Sequence, residues 1–465
     1  MPGEGTPIDN LPEFRHLIVQ LGMVMVAAGD AVDIIEDSLR RIVAAYGISG
    51  LQIALLPTSL FIQTGTGESA HVQFTSGTAP PLRLDQVDAL YRLVKELERA
   101  ELTATAAMSD LTAIYHSQPA FGWPLRVLGH AVLTTGLILL IQPTPTGILA
   151  AFGLGLLIGL LKLVWFPAAA PVWPVLATFL TSLAVFWIVG HLHVDNPIRL
   201  LVAPLVTFLP GGMLAIATME IAAGQMVSGA SRLVNGFVQL GLLAFGIVAG
   251  GALVGAPASE LVDHQIAGLG AWAGWVGVMV FAAGLWLHFC APLRTIPWML
   301  LVLYIAFAAQ TAGAAVFGGH FSEFFGALAM TPAVLWVERL PGGPPKLVTF
   351  LPAFWLLVPG ATGLIGVTEI VRNGPGTAAR GLTDVLIGIL AISLGVLLGT
   401  ALFRSAEVGA RQVSRLPGIS PETGKAAQSL VQGIKPQAQQ RRPREAAQPS
   451  SPGPGRRSRG PDGEF

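Results

Sequence analysis

At 465 residues, 52% hydrophobic and 12% charged, with a mean hydropathy of +0.64, the chain has half the charge density of a soluble domain, where about 25% is usual. That excludes a single water-soluble core at this length, and the apolar residues fall in blocks of about 20, enough to cross hydrocarbon as helix. Twenty-seven basic residues balance 27 acidic ones, so no nucleic-acid partner is indicated, and the one cysteine, Cys290, allows neither an intrachain disulfide nor a cysteine-based metal framework.

The first 20 residues lack a charged start, an apolar stretch and a small-residue cleavage site, so no secretory signal peptide is expected. Residues 1–120 read as a small α+β domain at the membrane surface. LGMVMVAAGDAVDIIEDSLRRIVAAYG (21–47) predicts helix, with Tyr46-Gly47 as its stop. LQIALLPTSLFIQTG and AHVQFTSG predict two or three short strands, broken at Pro57 and Gly65. From Asp85, DQVDALYRLVKELERAEL returns to a helical period with its charges on one side.

Residues 121–404 predict about ten spans, at 121–141, 146–165, 171–192, 198–223, 231–255, 267–290, 296–316, 321–337, 347–371 and 381–403. Gly155/Gly159, Gly246/Gly250 and Gly395/Gly399 have the small-xxx-small spacing that lets helix backbones approach in lipid. Residues 405–465, with QRRPREAAQPSSPGPGRRSRG, are too polar to bury a core and read as a disordered basic tail; tethering to anionic lipid is the alternative. Basic residues near span ends favour both termini in the cytoplasm, with Arg126, Lys162, Arg232, Arg294, Arg339 and Lys346 on that side. Arg199, Arg372, Arg380 and the loop of Glu260, Asp263 and His264 then lie outside.

LVTFLP occurs at 205–210 and again at 347–352. The residues after each copy match better at a shift of 149, which aligns PGGMLAIATMEI from Pro210 with PGATGLIGVTEI from Pro359. The same shift pairs Asn235 with Asp384, Gly246 with Gly395 and Gly250 with Gly399. Two sets of five spans, 121–255 and 256–404, put the second set upside down, the inverted-repeat plan of many secondary transporters. Pro-Gly within a span frees backbone groups that can bind a solute at Pro210, Gly211, Pro359 and Gly360; a plain proline kink is the other reading. Glu220 and Glu369, ten residues beyond each proline, are candidate proton-coupling acids, against span-end glutamates in interfacial water. Arg232 and Arg380 can pair with these acids or with a substrate carboxylate, and Arg232 also fits simple cytoplasmic anchoring.

HLHVD (191–195) and HFSEF (320–324) read as interfacial loops rather than metal sites. Neither a Walker phosphate loop nor a GxSxG elbow is present, and no cofactor is expected. A different class of function, a membrane-anchored hydrolase or sensor, would draw on Glu36, Asp37, His71 and His116 in residues 1–120; a solvated helix face with scattered surface histidines explains the same residues.

Three stretches resemble the threonine/serine exporter family: LGMVMVAAGDAVDIIEDSLRRIVAAYG, LPGGMLAIATMEIAAGQMVSGASRLVNG and LVPGATGLIGVTEI, within residues 15–404. The resemblance implies a hydrophilic N-terminal domain, ten spans, and export of small hydroxy amino acids driven by protons across a bacterial inner membrane. It assigns Pro210, Gly211, Arg232, Pro359 and Gly360 to motif positions, with Glu36 and Asp37 in the leading domain. MLAIATMEI is more apolar than the family's run after the first Pro-Gly. The expected partners are threonine or serine, protons and the bilayer; a homo-oligomer is left open.

Overall fold

A computed structural model describes residues 11–48, 50–64, 70–77, 80–141, 144–164, 172–191, 197–255, 268–318, 321–357, 364 and 375–413. The N-terminal elements are α1 (Leu11–Ala28), α2 (Val32–Ala45), strands β1 (Leu51–Leu56), β2 (Ser59–Thr64) and β3 (His71–Ser76), α3 (Leu84–Leu97) and α4 (Ala104–Tyr115). The strands form an antiparallel sheet in sequence order, with Leu56 opposite Ser59 across the Pro57-Thr58 turn. In α2, Val32, Ile35, Leu39, Ile42 and Val43 follow the helical period and are buried, while Asp37 and Arg40 on the opposite side are exposed. Gly29 ends α1 at φ +89°, a dihedral that glycine adopts without steric cost.

α1 is apolar and long enough to cross a membrane. Its Phe14, Leu17, Ile18, Leu21 and Met25 are instead fully buried in a cluster with α2, the sheet, α3 and α4. A Cβ on Gly22 would come within 2.9 Å of Leu60, so α1 lies directly on β2. The helix is part of a packed core.

The apolar region comprises α5 (Trp123–Ile141), α6 (Pro145–Leu161), α7 (Trp173–His191), α8 (Pro197–Val202), α9 (Gly211–Ala222) and α10 (Met226–Leu253). It continues through α11 (Trp272–Phe289), α12 (Ile296–Phe317), α13 (Ser322–Arg339), α14 (Lys346–Leu356) and α15 (Pro375–Val413). Among the described residues eight helices, α1 included, are long and apolar enough to cross a membrane. The pair Arg199–Phe208 and Gly211–Ala222, bent by 62°, makes nine if taken as one span. The chain is therefore a mostly helical, polytopic membrane protein. α13 is less apolar than these helices because it carries Glu323, Glu338 and Arg339, and the expected span at 347–371 is described only as the short α14 and Leu364. Leu149, Trp187, Val234 and Leu390 project apolar side chains outward, as a lipid-facing surface requires.

Glycine sets the helix spacing. α5 and α11 pack with Gly136 against Phe281 and Gly284 against Leu133, leaving no room for a Cβ. Gly246 and Gly250 of α10 meet the carbonyls of Val175 and Phe179 on α7, at 2.7 and 2.9 Å from an ideal Cβ. Gly395 and Gly399 of α15 meet those of Phe324 and Leu328 on α13 at 2.6 and 2.9 Å. Lipid is as apolar as these surfaces, so close van der Waals contact replaces the hydrophobic effect as the adhesive.

Gly136→Val should lower the apparent melting temperature in detergent, reflecting an overpacking cost of about 1–3 kcal/mol. Gly153→Val, where nothing lies within 4 Å of an added Cβ, should leave it unchanged apart from propensity.

Candidate functional site

The bent span organises the site. Residues Ala203–Phe208 form a tight 3-10 turn, Leu209 is extended at ψ 128°, and Pro210 caps α9 at φ −80°, ψ 19°. Proline has no amide hydrogen to continue the preceding helix, so the chain turns there. The carbonyl of Phe208, released by the break, accepts a 2.6 Å hydrogen bond from Gln239 Nε2 on α10. Pro210 and Gly211 are buried.

From the break, α9 runs to Glu220 and turns at Gly224 (φ +89°) into α10. Gly229 packs against the Ala217 carbonyl at 2.6 Å from an ideal Cβ, and Gly236 packs against Leu214. This close hairpin brings Arg232 back alongside Glu220, with Nε 3.2 Å from Oε2. Glu220 is fully buried and Arg232's side chain is 12% exposed. The contact is an ion pair whose N–H is not aimed along a hydrogen-bond axis.

The other oxygen of Glu220 reaches into the N-terminal elements. Val32 N–H, at the first residue of α2, donates to Oε1 at 2.9 Å. The first amides of a helix have no partner inside it, and the residue before Val32 is Ala31, which has no side chain to cap them. Glu220 supplies the missing acceptor from 188 residues away, with its negative charge at the positive end of the helix dipole.

Asp30 stands beside this cap. Its Oδ1 accepts Ala31 N–H at 3.1 Å, and its Oδ2 accepts Tyr91 O–H at 2.6 Å and lies 3.4 Å from Lys346 Nζ. Arg232 Nη2 donates to the Asp30 carbonyl at 3.4 Å. Burial, then the Asp30 charge and hydrogen bond, hold the Tyr91 phenol well above its usual pKa, so it remains a donor. Two carboxylates and two cations thus balance where α2, α3, α9, α10 and α14 converge. Nearby, buried Asp88 pairs with Arg294 at 2.5 Å and Arg92 at 3.1 Å.

The other expected residues have separate places in the fold. Asn235 is exposed and donates to Met213 Sδ at 3.4 Å, near the start of α9. Glu36 accepts Leu55 N–H at 2.9 Å and pairs with Arg40, which also holds exposed Asp37, so these acids tie α2 to β1. His116 bonds its own helix at the Thr112 carbonyl and His71 begins β3, so neither meets Glu36 or Asp37 among the described contacts. Pro359, Gly360 and Glu369 lie outside the described residues, as do Arg372, the loop of Glu260, Asp263 and His264, most of HLHVD, His320 of HFSEF, and the tail beyond 413. Arg380 and Asp384 lie on α15, whose backbone alone is described at those positions. Among the described residues no three His, Cys, Asp or Glu side chains gather as a metal site.

Asp30, Tyr91, Lys346 and Gln239 were not among the expected site residues. Asp30 comes directly after a helix-ending glycine, and Gln239 is the second amide, one turn beyond Asn235, in an apolar span, where a polar side chain points to function or structural need.

The fold is that of a polytopic helical membrane protein with a bent helix pair and a buried ion pair beyond the bend. The chain belongs to the threonine/serine exporter family: the family model described as "Putative threonine/serine exporter" matches residues 16–254, just over half of it. No curated protein and no solved structure matches the chain.

Arg232→Met leaves the Glu220 carboxylate buried without its cation, and should destabilise the junction by about 3–5 kcal/mol. The double variant Glu220→Gln/Arg232→Met should be milder than Arg232→Met alone. Hydrogen exchange at the α2 amides, measured beside the melting temperature in detergent, checks the order.

Proposed function

We propose that the protein is a secondary transporter of the inner membrane that exports threonine, serine or similar small amino acids in exchange for protons. The observation that carries this reading is the 62° break at Pro210 in a span of an exporter-family chain, ending on the Glu220–Arg232 pair. In transporters, interrupted helices supply backbone groups to a solute, and paired intramembrane charges accompany ion coupling.

The architecture we infer is a pair of inverted five-helix repeats, 121–255 and 256–404, preceded by a cytoplasmic domain at 1–120 and followed by a basic tail from 405, whose first residues continue α15 to Val413. Helix starts at Trp123, Trp173, Pro197 and Met226 have counterparts at Trp272, Ser322, Lys346 and Pro375, each 149 residues on. The glycine contacts obey the same shift, since Gly246 on Val175 becomes Gly395 on Phe324 and Gly250 on Phe179 becomes Gly399 on Leu328. Arg294 and Lys346 pair with Asp88 and Asp30 of the N-terminal elements, and Arg232 donates to the Asp30 carbonyl, which supports a cytoplasmic N-terminus under the positive-inside rule.

In this scheme Pro210, Gly211, Asn235 and Arg232 border one half of the pathway, and Pro359, Gly360, Arg380 and Asp384 the other. Glu220 and its repeat counterpart Glu369 carry protons. A proton on Glu220 cancels the charge that holds Arg232 and weakens the cap on α2, so protonation and movement of the N-terminal elements are linked.

Purified protein in liposomes should exchange labelled threonine or serine across the bilayer, and an imposed pH gradient should drive net movement. Glu220→Gln should abolish the pH-driven component while leaving exchange measurable. No movement of any amino acid tested, alongside hydrolytic turnover by the full chain, overturns the reading.

A further inference from the structure

A second buried polar group lies on the other side of the break. It draws one residue from each of four elements: His130 of α5, Lys162 just after α6, Thr207 three residues before Pro210, and His288 in the last turn of α11. His130 is fully buried and His288 is 8% exposed, their rings edge to face at 4.9 Å. Lys162 Nζ donates to Thr207 Oγ1 at 2.6 Å and lies 3.3 Å from His288 Nε2. Thr207 Oγ1 is also 3.3 Å from His130 Nε2.

The proton positions follow from the partners. His130 Nδ1 faces the Gly155 carbonyl at 3.0 Å and His288 Nδ1 faces the Arg126 carbonyl at 2.9 Å, so each Nδ1 carries the hydrogen. Each Nε2 is then an acceptor, of Thr207 O–H and of a Lys162 N–H respectively. An ammonium has three N–H donors, and two are used in this chain of bonds. The third has no acceptor among the described residues; the Phe208 ring, 5.2 Å from Nζ, offers only its face.

No described carboxylate pairs with Lys162. The neighbouring charge that acts on it is Arg126, also positive, whose Nε is buried with no hydrogen-bond partner. Cations drawn largely out of water are normally paired, and Lys162 and Arg126 are both partly buried. Arg232 already has Glu220, so its charge is spent within the protein. Lys162 and Arg126 are left with unfilled donors next to the break.

We propose that Lys162, Thr207 and Arg126, framed by His130 and His288, form a carboxylate-binding site that takes the α-carboxylate of the transported amino acid beside the Pro210 break. The site rests on the amino-acid transporter reading. Its ligand chemistry is a monocarboxylate, which accepts the third Lys162 N–H and offers a second oxygen to Arg126. His288 holds the ammonium and His130 the Thr207 hydroxyl, each through a ring lone pair, and neither brings a competing anion.

The test is equilibrium binding to the detergent-purified full chain, comparing L-threonine with L-threoninol, which lacks the carboxylate, and with lactate, which lacks the amine. The wild type should prefer threonine over threoninol by about tenfold or more, the scale of a lost hydrogen bond to a charged group. Lys162→Met should collapse that ratio towards unity, and Lys162→Arg should retain most of it. Thr207→Val, with size-exclusion behaviour as the check on folding, should narrow the ratio too, and decides the matter if Lys162→Met aggregates. A folded Lys162→Met with the wild-type ratio overturns the site while amino-acid transport stands. Lysine-dependent lactate binding by a protein that moves no amino acid supports the site and sinks the amino-acid reading. Absence of any carboxylate binding overturns the site.

Discussion

The Glu220 carboxylate joins the two parts of this molecule. One oxygen completes the start of α2, whose own preceding residue, Ala31, cannot do so, and the other faces Arg232. Without the junction α2 would carry an orphan amide, and Glu220 would keep Arg232 but lose the donor on its other oxygen. The polar residues around them answer that need, since burying Asp30 and Glu220 together requires Arg232 and Lys346 within reach and a neutral phenol, Tyr91, as donor.

The membrane region solves a different problem. Its surfaces face a solvent as apolar as themselves, so helices adhere where small residues let backbones touch. Gly136, Gly284, Gly246 and Gly395 mark those contacts. Once helices are this close, an unsatisfied backbone group is tolerated only if a side chain answers it. Gln239 does this for the carbonyl of Phe208.

Much of this was legible in the chain. Apolar blocks and the Pro-Gly pair located the helices and the break, because span length and proline chemistry act locally. That Arg232 pairs with Glu220 was one of several readings the chain left open, and the close α9–α10 hairpin decides for it. Depth was harder to read. Ten residues beyond Pro210 is about 15 Å of helix, which carries Glu220 from the break to the far end of α9. There it is buried, with its carboxylate against the first amide of α2. Nothing local announces a contact spanning 188 residues. The hexapeptide LVTFLP makes the same point: its first copy ends a 3-10 turn at the break, and its second lies inside α14. Identical letters took different forms because their neighbours differ. α1 misleads in the opposite way, since by composition it is a span and the sheet and helices packed around it make it a core helix.

α14 contributes more than the Lys346 charge. Leu347 and Val348 are buried in the same apolar cluster as Phe14, Leu17 and Leu90. The core of the first hundred residues is thus finished by two side chains that leave the ribosome only after some two hundred more residues have been made. During synthesis the early elements wait with an open seam, while one membrane helix after another is threaded into the bilayer. A chain stopping at residue 254 would contain the whole stretch matched by the family model and still lack the pieces that close its beginning.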